Sequence, residues 1–234
     1  MNAFFRATSL AFSLFFSLGA SAAAYDDIMA SARLGDKQGV VTLLNRGMDV
    51  DTSDIEGNTL LMIAARAGYL ELVEFFIAMG AKLDARNRHG DCALSLAALE
   101  GHFAVAQRLV EAGARVNSEG WPPLVYAALK GHAQMVDYLL LHGANVDAAS
   151  ENGITALMMA ARGGHLSIVQ RLVAVRADIR LKTDRDKTAL DWALENRHTH
   201  VAEFLERQTL ETPDQEPETG DREPDDENQT SAPE

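Results

Sequence analysis

The stretch GNTLLMIAARAGYLELVEFFIAMGAKLD, residues 57–84, decides the fold because the chain repeats its pattern. Related stretches begin at four later positions: Gly90, Gly120, Gly153 and Asp186. The successive spacings are 33, 30, 33 and 33 residues, and residues 31–51 carry the second half of the same pattern upstream. A period in the range of about 20–50 residues is typical of proteins built from stacked repeats.

Each unit of the repeat predicts a pair of short helices. A polar turn precedes a segment with two adjacent alanines, such as Ala64 and Ala65, and a glycine such as Gly68 ends it. Glycine suits the left-handed conformation that closes many helices. A second apolar segment at helical spacing follows, and an extension with Asp or Asn leads into the next turn. Since one unit cannot bury both helix faces, we expect an all-α solenoid of about six helix-turn-helix units linked by short β-hairpin-like turns.

These units resemble the ankyrin repeat, whose pattern is G-x-T-P-L-H-x-A-A-x-x-G-H followed by L-L-x-x-G-A-x-V. The resemblance extends from Tyr25 to about Gln208 and implies a domain at 25–209. The approximate repeats that it implies are 25–53, 54–86, 87–116, 117–149, 150–182 and 183–209. The histidine after the pattern's leucine is absent from every unit, and Arg176 and Arg197 stand in place of glycines. If the left-handed conformation is kept, such an arginine costs on the order of 1 kcal/mol.

Residues 1–24 have the features of a secretory signal peptide. Arg6 supplies positive charge, Thr8 to Leu18 form an apolar run, and residues 20–24 are the small side chains that a signal peptidase accepts. Cleavage is predicted after Ala22 or Ala24. The alternative is an uncleaved anchor, but the run is shorter than the roughly 20 residues that span a bilayer. The pattern predicts an exported protein that is not inserted in the membrane after cleavage.

Residues 210–234 differ from the repeats in composition. From Glu211 onward they hold ten acidic residues, one arginine and four prolines, and no apolar side chain larger than alanine. Such a segment cannot bury apolar surface, so it is predicted to be disordered. It is either a solubilising tail or an acidic arm that steers a basic partner or screens the binding surface. The chain's net charge of -13 argues against nucleic-acid binding and against anchoring on anionic lipid.

No catalytic motif stands out from the repeat pattern. The sequence has no nucleophile elbow, no His-Glu-x-x-His pair, no phosphate-binding glycine loop and no paired cysteine ligands. His198 and His200 are two residues apart, which places them on different faces of a helix. We therefore expect no enzyme activity, no cofactor and no metal. Cys92 is either a small structural residue or a redox-sensitive thiol, because a helix N-terminus favours thiolate.

The resemblance to ankyrin repeats implies protein binding through the turn tips and the concave face of the first helices. The positions that it assigns to partner binding are Ile55, Asn58, Arg66, Arg88, His89, Asp91, Leu99, Trp121, Leu129, Lys130, Ile154 and Arg162. Large apolar and arginine side chains dominate interface energies, which favours a central patch at Trp121, Leu99, Leu129 and Ile154. The alternative is that these are scattered surface residues without a role.

The turn before Trp121 is three residues shorter than its neighbours, which explains the single spacing of 30 residues. It should leave a notch in the row of tips, with Trp121 beside it. Pro122 and Pro123 then fall at the start of a helix, where a missing N–H donor costs nothing. These prolines are predicted to be structural.

The function predicted from these features is a monomeric, non-enzymatic protein-binding module of the bacterial periplasm, with secretion as the alternative location. Export and the lack of an intramolecular disulfide, since Cys92 is the single cysteine, favour this setting. The partner is an unidentified protein. The module would be an accessory or scaffold for an envelope or stress-defence protein. The alternatives are an inhibitor or immunity protein for a periplasmic toxin, and a host-directed effector.

Overall fold

A computed structural model describes residues 22–118 and 120–211. Most of the predicted signal peptide, Glu119 and the acidic tail beyond residue 211 lie outside the described residues. The described chain forms helices joined in pairs, with two isolated antiparallel bridges, Ser53 to Thr59 and Ala149 to Thr155. The predicted all-α repeat solenoid is confirmed.

Each unit contributes a first and a second helix. The first helices are α1 (22–34), α3 (Leu60–Ala67), α5 (Ala93–Glu100), α7 (Pro123–Lys130), α9 (Ala156–Arg162) and α11 (Ala189–Glu195). The second helices are α2 (Lys37–Asn45), α4 (Leu70–Ala78), α6 (Phe103–Glu111), α8 (Ala133–Leu141), α10 (Leu166–Ala174) and α12 (Thr199–Glu211). From α3 to α11 the first helices pack side by side in one row, and each also packs against the second helix of its unit.

The ends of the first helices follow from local sequence. The Thr59 hydroxyl accepts a hydrogen bond from the Met62 N–H at 3.2 Å, which caps α3. Pro122 and Pro123 begin α7, as predicted from the missing proline donor. Gly68 closes α3 with φ +76°, and Arg197 occupies the corresponding left-handed position with φ +61°. The predicted strain at this arginine is therefore present in the fold.

A row of four histidines, here called the histidine ladder, joins each of the last four units to the one before it. Their Nε2 atoms lie 2.9 to 3.3 Å from main-chain carbonyl oxygens one unit earlier, and a protonated Nε2 donates in each case. The pairs are His102 to Arg66, His132 to Leu99, His165 to Leu129, and His198 to Arg162. Each ring also lies against the glycine that follows the first helix of the preceding unit. These histidines hold the stack together.

A second row of bonds joins the units after the second helices. Here a side-chain oxygen accepts the backbone N–H of a residue one unit later, at 2.7 to 2.9 Å. The pairs are Asp51 with Lys82, Asp84 with Arg115, Asn117 with Asn145, and Asp147 with Asp178. The Asp and Asn residues that close each repeat therefore set its register on the next unit.

The segment that precedes a first helix is here called a finger and takes the number of its unit. Fingers 2 to 6 are residues 52–58, 85–91, 118–121, 148–154 and 181–187. Finger 3 donates the Arg88 N–H to the Glu56 oxygen of finger 2 at 2.9 Å. Finger 6 donates the Asp184 N–H to the Asn152 oxygen of finger 5 at 3.2 Å. The described residues of the short finger 4 make no backbone hydrogen bond to either neighbouring finger. Residues 118, 120 and 121 of finger 4 therefore lack the backbone bonds that join finger 2 to finger 3 and finger 5 to finger 6.

The core is a continuous layer between the two rows of helices. Leu61, Leu94, Leu124 and Leu157 come from equivalent positions of successive first helices, and each is at most 2% exposed. Small alanines beside them allow the helices to approach closely. Among residues 22–118 and 120–211, no helix has the length and apolar character that a membrane crossing requires.

Candidate functional site

The predicted partner residues occupy the fingers and the exposed side of the first helices, here called the first-helix face. The exposed ones are Ile55, Arg66, Arg88, His89, Lys130 and Arg162. The half-buried ones are Asn58, Leu99, Trp121, Leu129 and Ile154. Asp91 and Cys92 lie inside, at 7% and 2% exposure, and offer little surface to a partner.

Trp121 forms an aromatic pair with Tyr126 on this face. Its ring stacks on Tyr126 with centroids 5.4 Å apart and an angle of 22° between the planes. The Tyr126 hydroxyl donates to Asp91 Oδ1 at 2.7 Å. Burial, and then the hydrogen bond to the Asp91 carboxylate, raise the pKa of Tyr126. The tyrosine therefore stays a neutral donor and holds the ring that supports Trp121.

A chain of polar side chains runs from unit 1 to this pair. Arg33 donates to Asp54, Asn58 donates to Asp54, and Asn87 donates to Asn58 and to Asp91, which accepts from Tyr126. The contacts within it measure 2.7 to 3.5 Å. Burial acts to raise the pKa of Asp54, but the hydrogen bonds from Asn58 and Glu56 outweigh it and leave that pKa lowered. The chain couples the fingers of the N-terminal half to the aromatic pair.

On one side of the aromatic pair is an N-terminal cleft of about 370 Å³. Its apolar floor includes Ile63 and Leu96, which come from successive first helices. Arg33 and Asp54 lie 3.5 Å apart on one rim, and Arg66 and Glu100 lie 3.6 Å apart on the other. An apolar side chain of a partner would fit between these two ion pairs.

A C-terminal cleft of about 340 Å³ lies between fingers 5 and 6. Ile154 and Trp192 provide its apolar surface, and Arg185 and Asp184 line it as well. The Arg162 guanidinium lies over the Trp192 ring, 4.9 Å from its centroid. An arginine on an indole face is held by the negative charge density of the ring. This cleft presents an aromatic surface beside positive charge.

Two of the predicted partner contacts also have a structural role. Asn58 and Asp91 are links in the polar chain, so their polar atoms are already satisfied within the protein. We therefore leave both out of the surface that we propose for partners. Both residues occupy turn positions that the repeat pattern leaves variable. The pattern alone does not show whether a side chain at such a position points outward or bonds a neighbouring finger.

Sequence reasoning missed several residues of the first-helix face. They are Ile63, Leu96, Tyr126 and Trp192, which line the clefts or support Trp121. The signal was present, because residues three apart in a helix share a face. Ile63 lies three residues before Arg66, and Tyr126 lies three residues before Leu129, so the helical period predicts that each pair shares one face.

Cys92 caps α5 from within the core. Its backbone N–H donates to Ser95 Oγ at 2.9 Å, and the residue is 2% exposed. A redox-sensitive thiol has to be accessible, which this position does not favour. Labelling with a thiol reagent tests the hypothesis, and we expect reaction only after unfolding.

Among the described residues, no group of three His, Cys, Asp or Glu side chains is placed to hold a metal ion. The Nε2 atoms of the four ladder histidines lie against main-chain carbonyl oxygens instead. The geometry on the first-helix face is that of a binding surface, with clefts and a rigid aromatic pair.

Comparison with known families agrees with this geometry. A family model described as Ankyrin repeats (3 copies) matches residues 28–120, 86–150 and 124–214. The chain therefore belongs to the ankyrin-repeat family. Members of this family are generally non-enzymatic modules that bind other proteins. A search of curated proteins found no match.

Proposed function

We propose that this chain is a non-enzymatic binding module of the bacterial periplasm, where it is an accessory or scaffold for an envelope or stress-defence protein. The signal-peptide pattern of residues 1–24 supports export. The buried single cysteine and the continuous packed core support a fold that needs no disulfide. The proposed partner is a protein, and the chain acts as a monomer.

The observation that carries the binding proposal is the Trp121–Tyr126 pair between the two clefts. Tryptophan and tyrosine are enriched among the residues that dominate binding energy, because they offer large rigid surfaces. Here the pair is fixed before binding by stacking and by the bond to Asp91. A preorganised surface avoids the cost of ordering side chains on association. We propose Trp121, Leu99, Leu129 and Ile154 as its contact residues, with Arg66, Arg88, Lys130 and Arg162 around them.

The location is tested by fractionating cells that express the natural chain. We expect the protein in the periplasmic fraction, shortened at Ala22 or Ala24, and a chain that lacks residues 1–24 in the cytoplasm. Recovery of the natural chain in the cytoplasm with an intact N-terminus would overturn the proposed location. Recovery in the cytosol of a host cell would favour the effector alternative.

The role is tested by affinity capture from the envelope fraction, with the Trp121→Ala chain in parallel. Leu141→Ala is the matched control, because Leu141 is 82% exposed at the end of the second helix α8. We expect one partner that the natural chain and the control capture and that Trp121→Ala loses. If binding blocks the partner's own activity, the chain is an inhibitor and not a scaffold. Equal capture by all three chains would remove Trp121 from the site.

A further inference from the structure

Two arginines lie at the C-terminal cleft: Arg185 is among its lining residues, and Arg162 lies over the Trp192 ring that lines it. Arg162 and Arg185 form no ion pair within residues 22–118 and 120–211, and Arg162 instead covers Trp192. A single carboxylate, Asp184, is among the lining residues. The cleft therefore suits a ligand that offers carboxylates beside an apolar ring.

The N-terminal cleft differs in this respect. Its two arginines already face carboxylates, Arg33 with Asp54 and Arg66 with Glu100. Of the two clefts, the C-terminal one is therefore the one with cations that form no ion pair among the described residues, in a chain whose net charge is -13.

The acidic tail has the complementary chemistry. Residues 212–234 contain nine acidic residues against Arg222 alone, and four prolines are spaced among the carboxylates. Guanidinium groups bind carboxylates through charge-assisted hydrogen bonds. Proline-rich segments bind grooves lined by aromatic rings. Segments such as PDQEP, residues 213–217, bring both groups together.

The tail is also long enough to reach the cleft. Residue 212 directly follows α12, and α12 packs against α11, the helix that carries Trp192. Packed helices lie about 8–10 Å apart, whereas 23 residues extend to about 75 Å. The tether further gives the tail an effective concentration on the order of millimolar. A contact between tail and cleft that is too weak to form between separate molecules is then formed in a substantial fraction of the chains.

We propose that the acidic tail, residues 212–234, binds back to the C-terminal cleft and covers Trp192. A partner that uses this end of the first-helix face then has to displace the tail, which makes the tail a built-in competitor. The inference does not depend on the partner, because the cleft and the tail belong to the same chain. If the tail does not bind the cleft, the proposed function is unaffected. If the proposed function is wrong, the tail can still bind the cleft.

The test uses tryptophan fluorescence in the full chain. The chain has two tryptophans, so Trp121→Phe leaves Trp192 as the single emitter. Quenching by acrylamide, which is uncharged, is compared between the natural tail and a tail whose nine acidic residues are changed to their amides. With about half the tails bound at millimolar effective concentration, we expect quenching about twofold weaker with the natural tail. The difference should vanish in 1 M NaCl, where the screening length is about 3 Å, and in an Arg162→Gln/Arg185→Gln chain.

The matched control is the Trp192→Phe chain, in which Trp121 is the single emitter and should be quenched equally with both tails. Equal quenching of Trp192 with both tails at low salt would overturn the proposal. If the natural tail protects Trp121 from acrylamide in place of Trp192, the tail does not bind at this cleft. The same conclusion follows if the protection of Trp192 remains in the Arg162→Gln/Arg185→Gln chain. Circular dichroism confirms that each variant is folded. If the double variant is not folded, Arg185→Gln alone serves, with the same expected loss.

Discussion

Asp91 stands at a position that the repeat pattern treats as variable surface, yet its carboxylate lies in the interior. It accepts the Tyr126 hydroxyl at 2.7 Å and contacts Asn87 at 3.3 Å. Asp91→Ala should lower the free energy of unfolding by about 1–3 kcal/mol, because the half-buried Tyr126 hydroxyl loses its acceptor. Asp91→Asn keeps an acceptor oxygen and should cost less. Urea denaturation measures both.

A double-mutant cycle isolates this contact. Tyr126→Phe removes the donor of the same bond that Asp91→Ala deprives of its acceptor. The double variant should therefore lose less unfolding free energy than the sum of the losses in the two single variants. Strict additivity would show that the two side chains do not interact in solution.

Asp191 stands where the repeat pattern has histidine, and it caps its own helix. The Thr188 backbone N–H and hydroxyl each donate to its Oδ2 at 2.8 Å, and these bonds lower the pKa of Asp191. A carboxyl group with a lowered folded pKa adds stability above its unfolded pKa of about 3.9, and this stability is lost as the pH falls through the folded pKa. Asp191→Asn should therefore flatten the decline in unfolding free energy below about pH 4. Parallel curves for variant and natural chain would contradict this account.

At the scale of the structural element, the histidine ladder predicts that two glycines of similar backbone conformation differ in the stability lost on substitution by alanine. Gly131 has φ +80° and Gly143 has φ +83°. A Cβ on Gly131 would lie 2.7 Å from the His165 ring, while one on Gly143 would have nothing within 4 Å. Both Ala variants pay about 1–2 kcal/mol for the left-handed conformation. Gly131→Ala should cost about 1–3 kcal/mol more, because the bond of His165 to the Leu129 carbonyl is lost.

Thermal or urea unfolding of the two alanine variants provides the comparison. Equal destabilisation would mean that the histidine ring moves aside without cost, so the ladder would not hold the units together.

The helices could be predicted from the sequence because their signals are local. The glycines that end them, the prolines at Pro122 and Pro123 and the alanine pairs each act within one unit. The polar chain from Arg33 to Tyr126 could not be predicted, because it joins rotamers of residues about one repeat apart. The clefts likewise arise where stacked helices leave a gap, so no single unit encodes them.

At the scale of the whole molecule, finger 4 divides the first-helix face into two halves of different chemistry. The N-terminal half is cross-linked by the polar chain, and the two arginines that line its cleft are paired with carboxylates. The C-terminal half offers Trp192 with unpaired arginines. Trp121 lies between them, on the ring of Tyr126. The short turn was visible in the 30-residue spacing, but the contrast between the halves required side-chain contacts.

The central claim is that a partner protein binds this face at Trp121. The most direct measurement is the affinity of the captured partner for the natural chain, for Trp121→Ala and for Leu141→Ala. The loss of a hot-spot tryptophan costs about 2 kcal/mol or more, so Trp121→Ala should weaken binding at least about 30-fold. Leu141→Ala should leave the affinity unchanged. Equal affinities for all three folded chains would contradict the account.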